Sequence, residues 1–263
     1  MSERAAVAVV GLPGDGRMPM VGLGTWKISG DQAETAVRAA LAAGYRHIDT
    51  ATMYGNEAQI GSALGAGGLN RAEVFITTKI PPRQAGHEAD VLRRSLRALR
   101  TDYVDLWLIH WAPRRSGASR EMWNAMRELR DDGLVRAIGV SNYSLAQIDQ
   151  LTDATGETPA VNQVRWSPSR YDPALAAGHA ERGVVLEGYS PLRDSRLGDP
   201  VLTAIARTHQ VTPAQVVLRW HLEHGVTVIP KSVRPERIAA NIDLLGFRLS
   251  PAEVASIDGL GKG

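Results

Sequence analysis

The chain has 263 residues, 44% hydrophobic and 22% charged, enough for one large barrel-sized domain or two small ones. Its 30 Lys and Arg against 28 Asp and Glu leave a formal charge of +2, with the cations dispersed rather than gathered in an aromatic-laced stripe, so nucleic-acid binding is not expected. The lack of cysteine excludes disulfide frameworks, Cys-ligated zinc, iron–sulfur clusters and thiol nucleophiles.

The chain starts MSERAAVAVVGLPGDG, where Gly11 and Pro13 end an apolar run of about six residues, shorter than the apolar core of a signal peptide. No stretch approaches the roughly 20 apolar residues of a membrane span, and a cytoplasmic protein is expected. VAVVGLPGDGRMP (7–19) reads as a β-hairpin at the bottom of the fold. Short apolar runs, candidate strands, follow at 20–24, 46–49, 74–79, 103–110, 136–141, 160–164, 184–190 and 227–232. Segments of helical period follow them at 31–44, 56–67, 87–100, 120–133, 144–156, 172–183, 212–225 and 235–246, most opening on Asp, Asn, Ser, Thr or Pro and closing near Gly. PAEVASIDGL (251–260) reads as an extra helix. Eight strand–helix units predict an α/β fold, a (β/α)8 TIM barrel spanning 1–263 as one domain.

Barrel enzymes place their chemistry at the C-terminal ends of the strands. Here those ends carry Trp26, Asp49 with Tyr54 just beyond, Lys79, His110, Trp111, Ser141, Asn142, Gln163, Tyr189, Ser190, Lys231 and Ser232. A free phenol has a pKa of about 10. An ammonium at Lys79, held by Asp49, is expected to draw Tyr54 toward neutrality by roughly three units, or about 4 kcal/mol, while His110 donates to the same oxygen. Such a set protonates an oxygen while another group delivers electrons, which points to a nicotinamide cofactor. GLGTWKISG lacks the third glycine of a dinucleotide fingerprint, KS in IPKSV lacks a Walker loop, and HLEH at 221–224 has no zinc-protease spacing; no metal is assigned.

GLGTWK, GYRHIDTATMYGNE, FITTK, DYVDLWLIHW, IGVSN, VNQV, YSPL, TPAQVVLRW and IPKSVRPERIAAN, in this order over nearly the whole chain, resemble the aldo-keto reductases, and more specifically their bacterial diketogluconate-reductase-like members. The resemblance implies an NADPH-dependent, monomeric reductase of small aldehydes or ketones, with Tyr54 as general acid, Asp49 and Lys79 tuning it, and His110 orienting the carbonyl. It implies cofactor contacts from Thr25, from Ser141, Asn142, Gln163 and Tyr189 around the nicotinamide, and from Ser190, Pro191 and Leu192 along the pyrophosphate. Lys231, Ser232, Val233, Arg234, Arg237 and Asn241 are implied around the adenosine phosphate. Lysine, serine and arginine together suit a dianionic 2′-phosphate, favouring NADPH over NADH. Trp26, Met53 and Trp111 are expected at the substrate. Ala240 stands where the family usually has a glutamate, and IPP follows Lys79 where many relatives have an aromatic. Two alternatives remain at this point: a nicotinamide-binding redox-sensing or scaffold barrel with little turnover, and a lyase or isomerase using Lys79 as a Schiff base.

Overall fold

The computed structural model describes residues 8–14 and 16–262. Strands β1 (Val9–Leu12) and β2 (Gly16–Pro19) form the antiparallel hairpin, in register from Val9↔Pro19 to Leu12↔Gly16. Val7 and Asp15 of the expected hairpin lie outside the described residues. Eight strands follow: β3 (Leu23–Gly24), β4 (His47–Asp49), β5 (Phe75–Ile80), β6 (Val104–Ile109), β7 (Val135–Ser141), β8 (Val161–Arg165), β9 (Val185–Tyr189) and β10 (Thr227–Ile229). They lie side by side in chain order, every pair parallel. A parallel bridge between Val21 and Val228 brings the last strand back to the first, with Gly22 N–H donating to Val228 O at 2.9 Å and Gly24 N–H to Pro230 O at 3.1 Å. The sheet thereby curls into a barrel without a long open edge.

The seam between β3 and β10 needs glycine. A Cβ on Gly24 would lie 2.8 Å from Ile229 O, and one on Gly22 would lie 2.7 Å from His47 Nδ1. The strand expected at 20–24 is accordingly regular only at Leu23–Gly24. At the other side of the seam Pro230 has no N–H to extend the ladder, and β10 stops at Ile229, short of the expected residue 232.

The helices are α1 (Asp31–Ala43), α2 (Glu57–Ala66), α3 (Glu88–Leu99), α4 (Ala118–Asp131), α5 (Leu145–Thr155), α6 (Pro173–Glu181), α7 (Pro200–His209), α8 (Pro213–Glu223), α9 (Pro235–Ile242) and α10 (Pro251–Asp258). Their caps explain their starts. Ser144 and Thr212 accept from the third helical N–H while Gln147 and Gln215 reach back, and Ser250 does the same with Glu253. Helix α7 was not expected from the sequence; Asp199 caps it, accepting from Val201 N–H, and Pro200 occupies its first position. It makes two helices, not one, between β9 and β10.

Period-2 alternation sends Ile48, Ile76, Trp107, Ile109, Ile138 and Val140 outward against Val37, Ile60, Leu92, Leu96, Trp123 and Ile148 of the helices. Inward, at the N-terminal end of the barrel, Phe75, Leu106, Leu108, Ala137 and Val161 pack with Leu12 and Met18 of the hairpin, which seals that end. Trp107, Trp123, Trp166 and Trp220 are fully buried packing residues. Among the described residues no helix is long and apolar enough to cross a membrane.

Candidate active site

The barrel's C-terminal end opens into a cleft of about 320 Å³. Its lining includes Trp26, Asp49, Met53, Tyr54, His110, Trp111, Ser141, Asn142, Gln163, Tyr189, Ser190 and Lys231, all expected from strand ends or the residues just beyond them. It also includes Gly24, Arg165, Arg193 and Ile229, which were not.

Lys79, on β5, is fully buried at the floor. Its ammonium donates to Asp49 Oδ1 at 2.6 Å, Asp49 Oδ2 at 2.7 Å and Thr50 O at 2.9 Å, which engages all three of its N–H groups. Burial alone depresses a lysine pKa; the Asp49 charge and the neighbouring Tyr54 outweigh it and hold Lys79 above its ordinary value. A Schiff-base lysine needs the opposite, a depressed pKa and access to substrate, so the Lys79 lyase alternative does not fit this site.

Tyr54 ends a short 3-10 turn, Thr52–Tyr54, behind the left-handed Gly55 at φ 68°. Lys79 Nζ is 5.2 Å from its ring centroid, and the His110 ring meets it edge to face at 5.8 Å. The expected drop in the phenol's pKa is absent. Burial raises it; Lys79 lowers it, Asp49 pushes back, and the balance lies above the ordinary phenol value. Tyr54 is therefore a fully protonated acid at neutral pH in the protein alone.

His110 lies flat on Trp111, with centroids 3.8 Å apart and planes within 8°. Burial first, then the charges of Lys79 and Arg83, bring its pKa down to about 3, so the ring is neutral. Nδ1 is buried without a partner among the described residues, which leaves Nε2 as the nitrogen on the cleft side.

Around the opposite wall the polar groups are tied to one another. Ser141 Oγ donates to Gln163 O at 2.8 Å, Asn142 Nδ2 to Ser141 Oγ at 3.0 Å and to His110 O at 3.2 Å, and Tyr189 O–H to Asn142 Oδ1 at 2.9 Å. Asn142 and Ser190 hold left-handed backbone at φ 60° and 56° immediately after β7 and β9, and Lys27 does so at 57° beside Trp26. Such strain in non-glycine residues clusters at ligand sites. Trp26, Met53 and Trp111 are about two-fifths exposed at the rim, three of the five large apolar side chains that stand in solvent among the described residues.

Several expected residues sit away from the cleft. Thr25 is fully buried, its hydroxyl donating to Asp49 O at 2.9 Å and its carbonyl accepting from Asn56 Nδ2 at 2.9 Å, so it fixes the strand end. Asn56, which opens the helical segment expected at 56–67, ties the loops after β3 and β4 together, its Nδ2 donating to Thr25 O and Ile28 O and its Oδ1 accepting from Thr50 Oγ1. Pro191 is buried and Leu192 packs into the core. Lys231, Arg234 and Arg237 are exposed and Ser232 and Asn241 buried, with Val233 packed on the core; the six run from cleft-lining Lys231 into α9.

Two sets of residues escaped the sequence reading. Arg165 pairs with Asp194 at 2.6 Å, and the Arg193 guanidinium stands 5.7 Å over Trp26. Deeper, Glu187 receives Gln163 Nε2 at 2.8 Å, and the same nitrogen donates to Asp49 Oδ1 at 2.7 Å. Arg165 lies two residues after Gln163 and Glu187 two before Tyr189, so strand alternation was the available signal.

The aldo/keto reductase family model matches residues 20–262. An aldo-keto reductase of Mycolicibacterium vanbaalenii is 44% identical over 100% of this chain and 95% of that relative. Morphine 6-dehydrogenase of Pseudomonas putida is 41% identical over 94% of this chain and 89% of its own length. The crystal structure of an aldo/keto reductase from Brucella melitensis superposes with a TM-score of 0.96 at 41% identity, over 98% of this chain and 100% of the other. A Bombyx mori aldo-keto reductase solved in complex with NADP gives 0.92 at 34% identity, over 98% and 94%. With a nearly full-length match and a barrel end built in this way, the chain belongs to the aldo/keto reductase family of oxidoreductases.

Proposed function

We propose that the protein is an NADPH-dependent reductase that converts small aldehydes or ketones to alcohols, with Tyr54 as general acid. The observation that carries this is the buried Lys79–Asp49 pair under Tyr54, with neutral His110 against the same phenol. A reduced nicotinamide dinucleotide supplies the hydride when bound. The residues present fit that group. Gln163 Oε1 accepts from no described residue, and three exposed cations stand beside the Ser232 hydroxyl where a 2′-phosphate is to be held.

Tyr54 keeps its proton until the carbonyl oxygen gains negative charge, then donates it. Lys79 acts at that moment, because its field stabilises the phenolate left behind far more than it perturbs the neutral phenol. Asp49 keeps the lysine charged and in place. For His110 the Nε2–H tautomer leaves a lone pair, not an N–H, unpartnered at buried Nδ1, and directs a donor at the carbonyl oxygen. Ser141, Asn142 and Gln163 offer the hydroxyl and amide groups that would hold the nicotinamide carboxamide, with Tyr189 against the ring. Lys231, Ser232, Val233, Arg234, Arg237 and Asn241 would hold the adenosine end, while Trp26, Met53 and Trp111 wall the substrate.

The test follows NADPH and NADH absorbance against a panel of aldehydes, diketones and keto-sugars, with Tyr54→Phe in parallel. The reading expects turnover favouring NADPH, a loss of roughly 10²–10⁴-fold in the variant, and NADPH binding retained. Near wild-type turnover by Tyr54→Phe sinks the assignment, and tight NADPH binding without turnover on the panel favours the scaffold alternative.

A further inference from the structure

One layer below Asp49 and Lys79, the inward faces of β4, β5, β8, β9 and β10 carry His47, Thr77, Gln163, Glu187 and Thr227, each at most 2% exposed. Of these the proposed reaction uses Gln163 alone. Glu187 is the group that most needs a reason. Its carboxyl is fully buried, Oε1 has no hydrogen-bond partner among the described residues, and the nearest basic nitrogen there, His47 Nε2, is 3.8 Å away. A buried carboxyl so poorly satisfied costs stability.

Its one close contact is informative. The Gln163 side chain has two N–H groups and one carbonyl oxygen. Nε2 reaches Asp49 Oδ1 on β4 at 2.7 Å and Glu187 Oε2 on β9 at 2.8 Å, so both N–H groups are committed to carboxyl oxygens on different strands. Turning the amide over would set its oxygen against the Asp49 carboxylate at under 3 Å and take both N–H groups away from the two carboxyl groups. Oε1 is thus held on the other side, where Gln163 lines the cleft, and accepts from no described residue. Asp49 alone would engage a single N–H; Glu187 engages the second from another strand and fixes the plane of the amide.

We propose that Glu187 is a positioning residue of the reductase site, clamping Gln163 Nε2 from below so that Gln163 Oε1 faces the cleft as a fixed acceptor for a carboxamide N–H of the nicotinamide. The inference rests on the NADPH-dependent reading above. The groups facing Glu187 are His47 and Asp49 from β4, Thr77 and Lys79 from β5, Gln163 from β8 and Thr227 from β10. Burial, then the Asp49 charge, push its pKa up to about 8, against the Gln163 bond and Lys79. His47 is neutral there, lowered to about 4 by burial. Below pH 8 the clamp is therefore a neutral acid, and above it a second negative charge joins Asp49 beside Gln163 Nε2.

Two variants test this, with binding read from NADPH fluorescence and from competition by 2′-phospho-ADP-ribose, which lacks the nicotinamide. Glu187→Leu is expected to weaken NADPH about tenfold and leave 2′-phospho-ADP-ribose within twofold of wild type. Glu187→Gln, which accepts the same bond without charge, is expected to restore NADPH affinity to within about threefold and to remove any step near pH 8 from the pH dependence of NADPH binding. Wild-type NADPH affinity in Glu187→Leu, or equal losses for both nucleotides, overturns the proposal. Should Glu187→Leu fail to fold, Glu187→Met, of similar length and without a carboxyl, decides by the same comparison of the two nucleotides. Failure of the wild-type chain to reduce any carbonyl counts against the reductase reading alone, since the binding comparison still stands; failure to bind NADPH overturns both.

Discussion

The Asp49–Lys79 pair lends itself to a double-mutant cycle. Asp49 is 2% exposed and Lys79 is not exposed at all. Asp49→Asn leaves a buried ammonium with carbonyl partners only, and removing one member of a buried pair costs about 3–5 kcal/mol. Lys79→Met leaves the Asp49 carboxylate with Gln163 Nε2 as its remaining side-chain donor, at similar cost. If the two residues were independent, the double variant would lose about 6–10 kcal/mol, enough to unfold many single domains. In the double variant no uncompensated charge remains, and the residual cost is an orphaned Thr50 carbonyl and lost packing, about 2–4 kcal/mol. The expected coupling energy is thus about 2–8 kcal/mol. Urea unfolding followed by tryptophan fluorescence measures it, and each single variant should also melt about 6–10 °C lower, at roughly 2 °C per kcal/mol for a chain of this length. Additive losses within about 0.5 kcal/mol would refute the claim that the two charges compensate each other in a dry floor.

Three further outcomes are expected. Arg237→Ala should raise KM for NADPH about tenfold or more, the loss of one charge-assisted bond, with little change for NADH; equal effects on both nucleotides in steady-state kinetics would remove Arg237 from the phosphate site. Gly24→Ala should cost about 1–3 kcal/mol in the same urea assay, because its Cβ meets the Ile229 carbonyl at 2.8 Å across the seam; a neutral result would mean that the seam gives way easily. Stability should peak near pH 6.5. His47 and His221 are lowered to about 4 and His110 to about 3, mainly by burial, so the unfolded chain takes up protons that the native state refuses as pH falls below 6.5. Glu187, raised to about 8, works the other way, because the native state keeps a proton that the unfolded chain releases above about 4.5, and stability declines as pH rises toward 8. Each such proton contributes roughly 1 kcal/mol per pH unit, and urea midpoints that climb steadily from pH 6.5 to 8 would contradict the assignment of Glu187.

The barrel was legible because strands buried on both faces read as short apolar runs and most helices announce themselves through caps. Helix α7 was missed although Asp199 and Pro200 mark its start, because the pattern of one helix per strand was already complete without it. The floor of the site was legible because Asp49, Lys79 and His110 end strands or directly follow one and Tyr54 lies just beyond. The direction of the Tyr54 shift was not, since it depends on how deeply the ring is buried relative to two opposite charges. The inward bond of the Thr25 hydroxyl to Asp49 O was not legible for a related reason: sequence places a residue at a strand end and leaves the direction of its hydroxyl undetermined.

Alternation carries further than the strand ends. Asp49 and Lys79 lie on inward faces, and stepping back two residues from each reaches His47 and Thr77, joined through His47 Nε2 and Thr77 Oγ1 at 3.1 Å. The same step from Tyr189 reaches Glu187, and Thr227 sits beside Glu187 in register on β10. Polar residues at such positions contradict an apolar barrel interior, and each weighs against stability. Below them the hairpin's Leu12 and Met18 close the barrel with an apolar layer, so this polar layer is shut off from the N-terminal end. A polar layer kept dry in this way fixes the side chains above it through short bonds, and a site that must hold a phenol, an ammonium and an amide in one arrangement gains more from that rigidity than the barrel loses in burial.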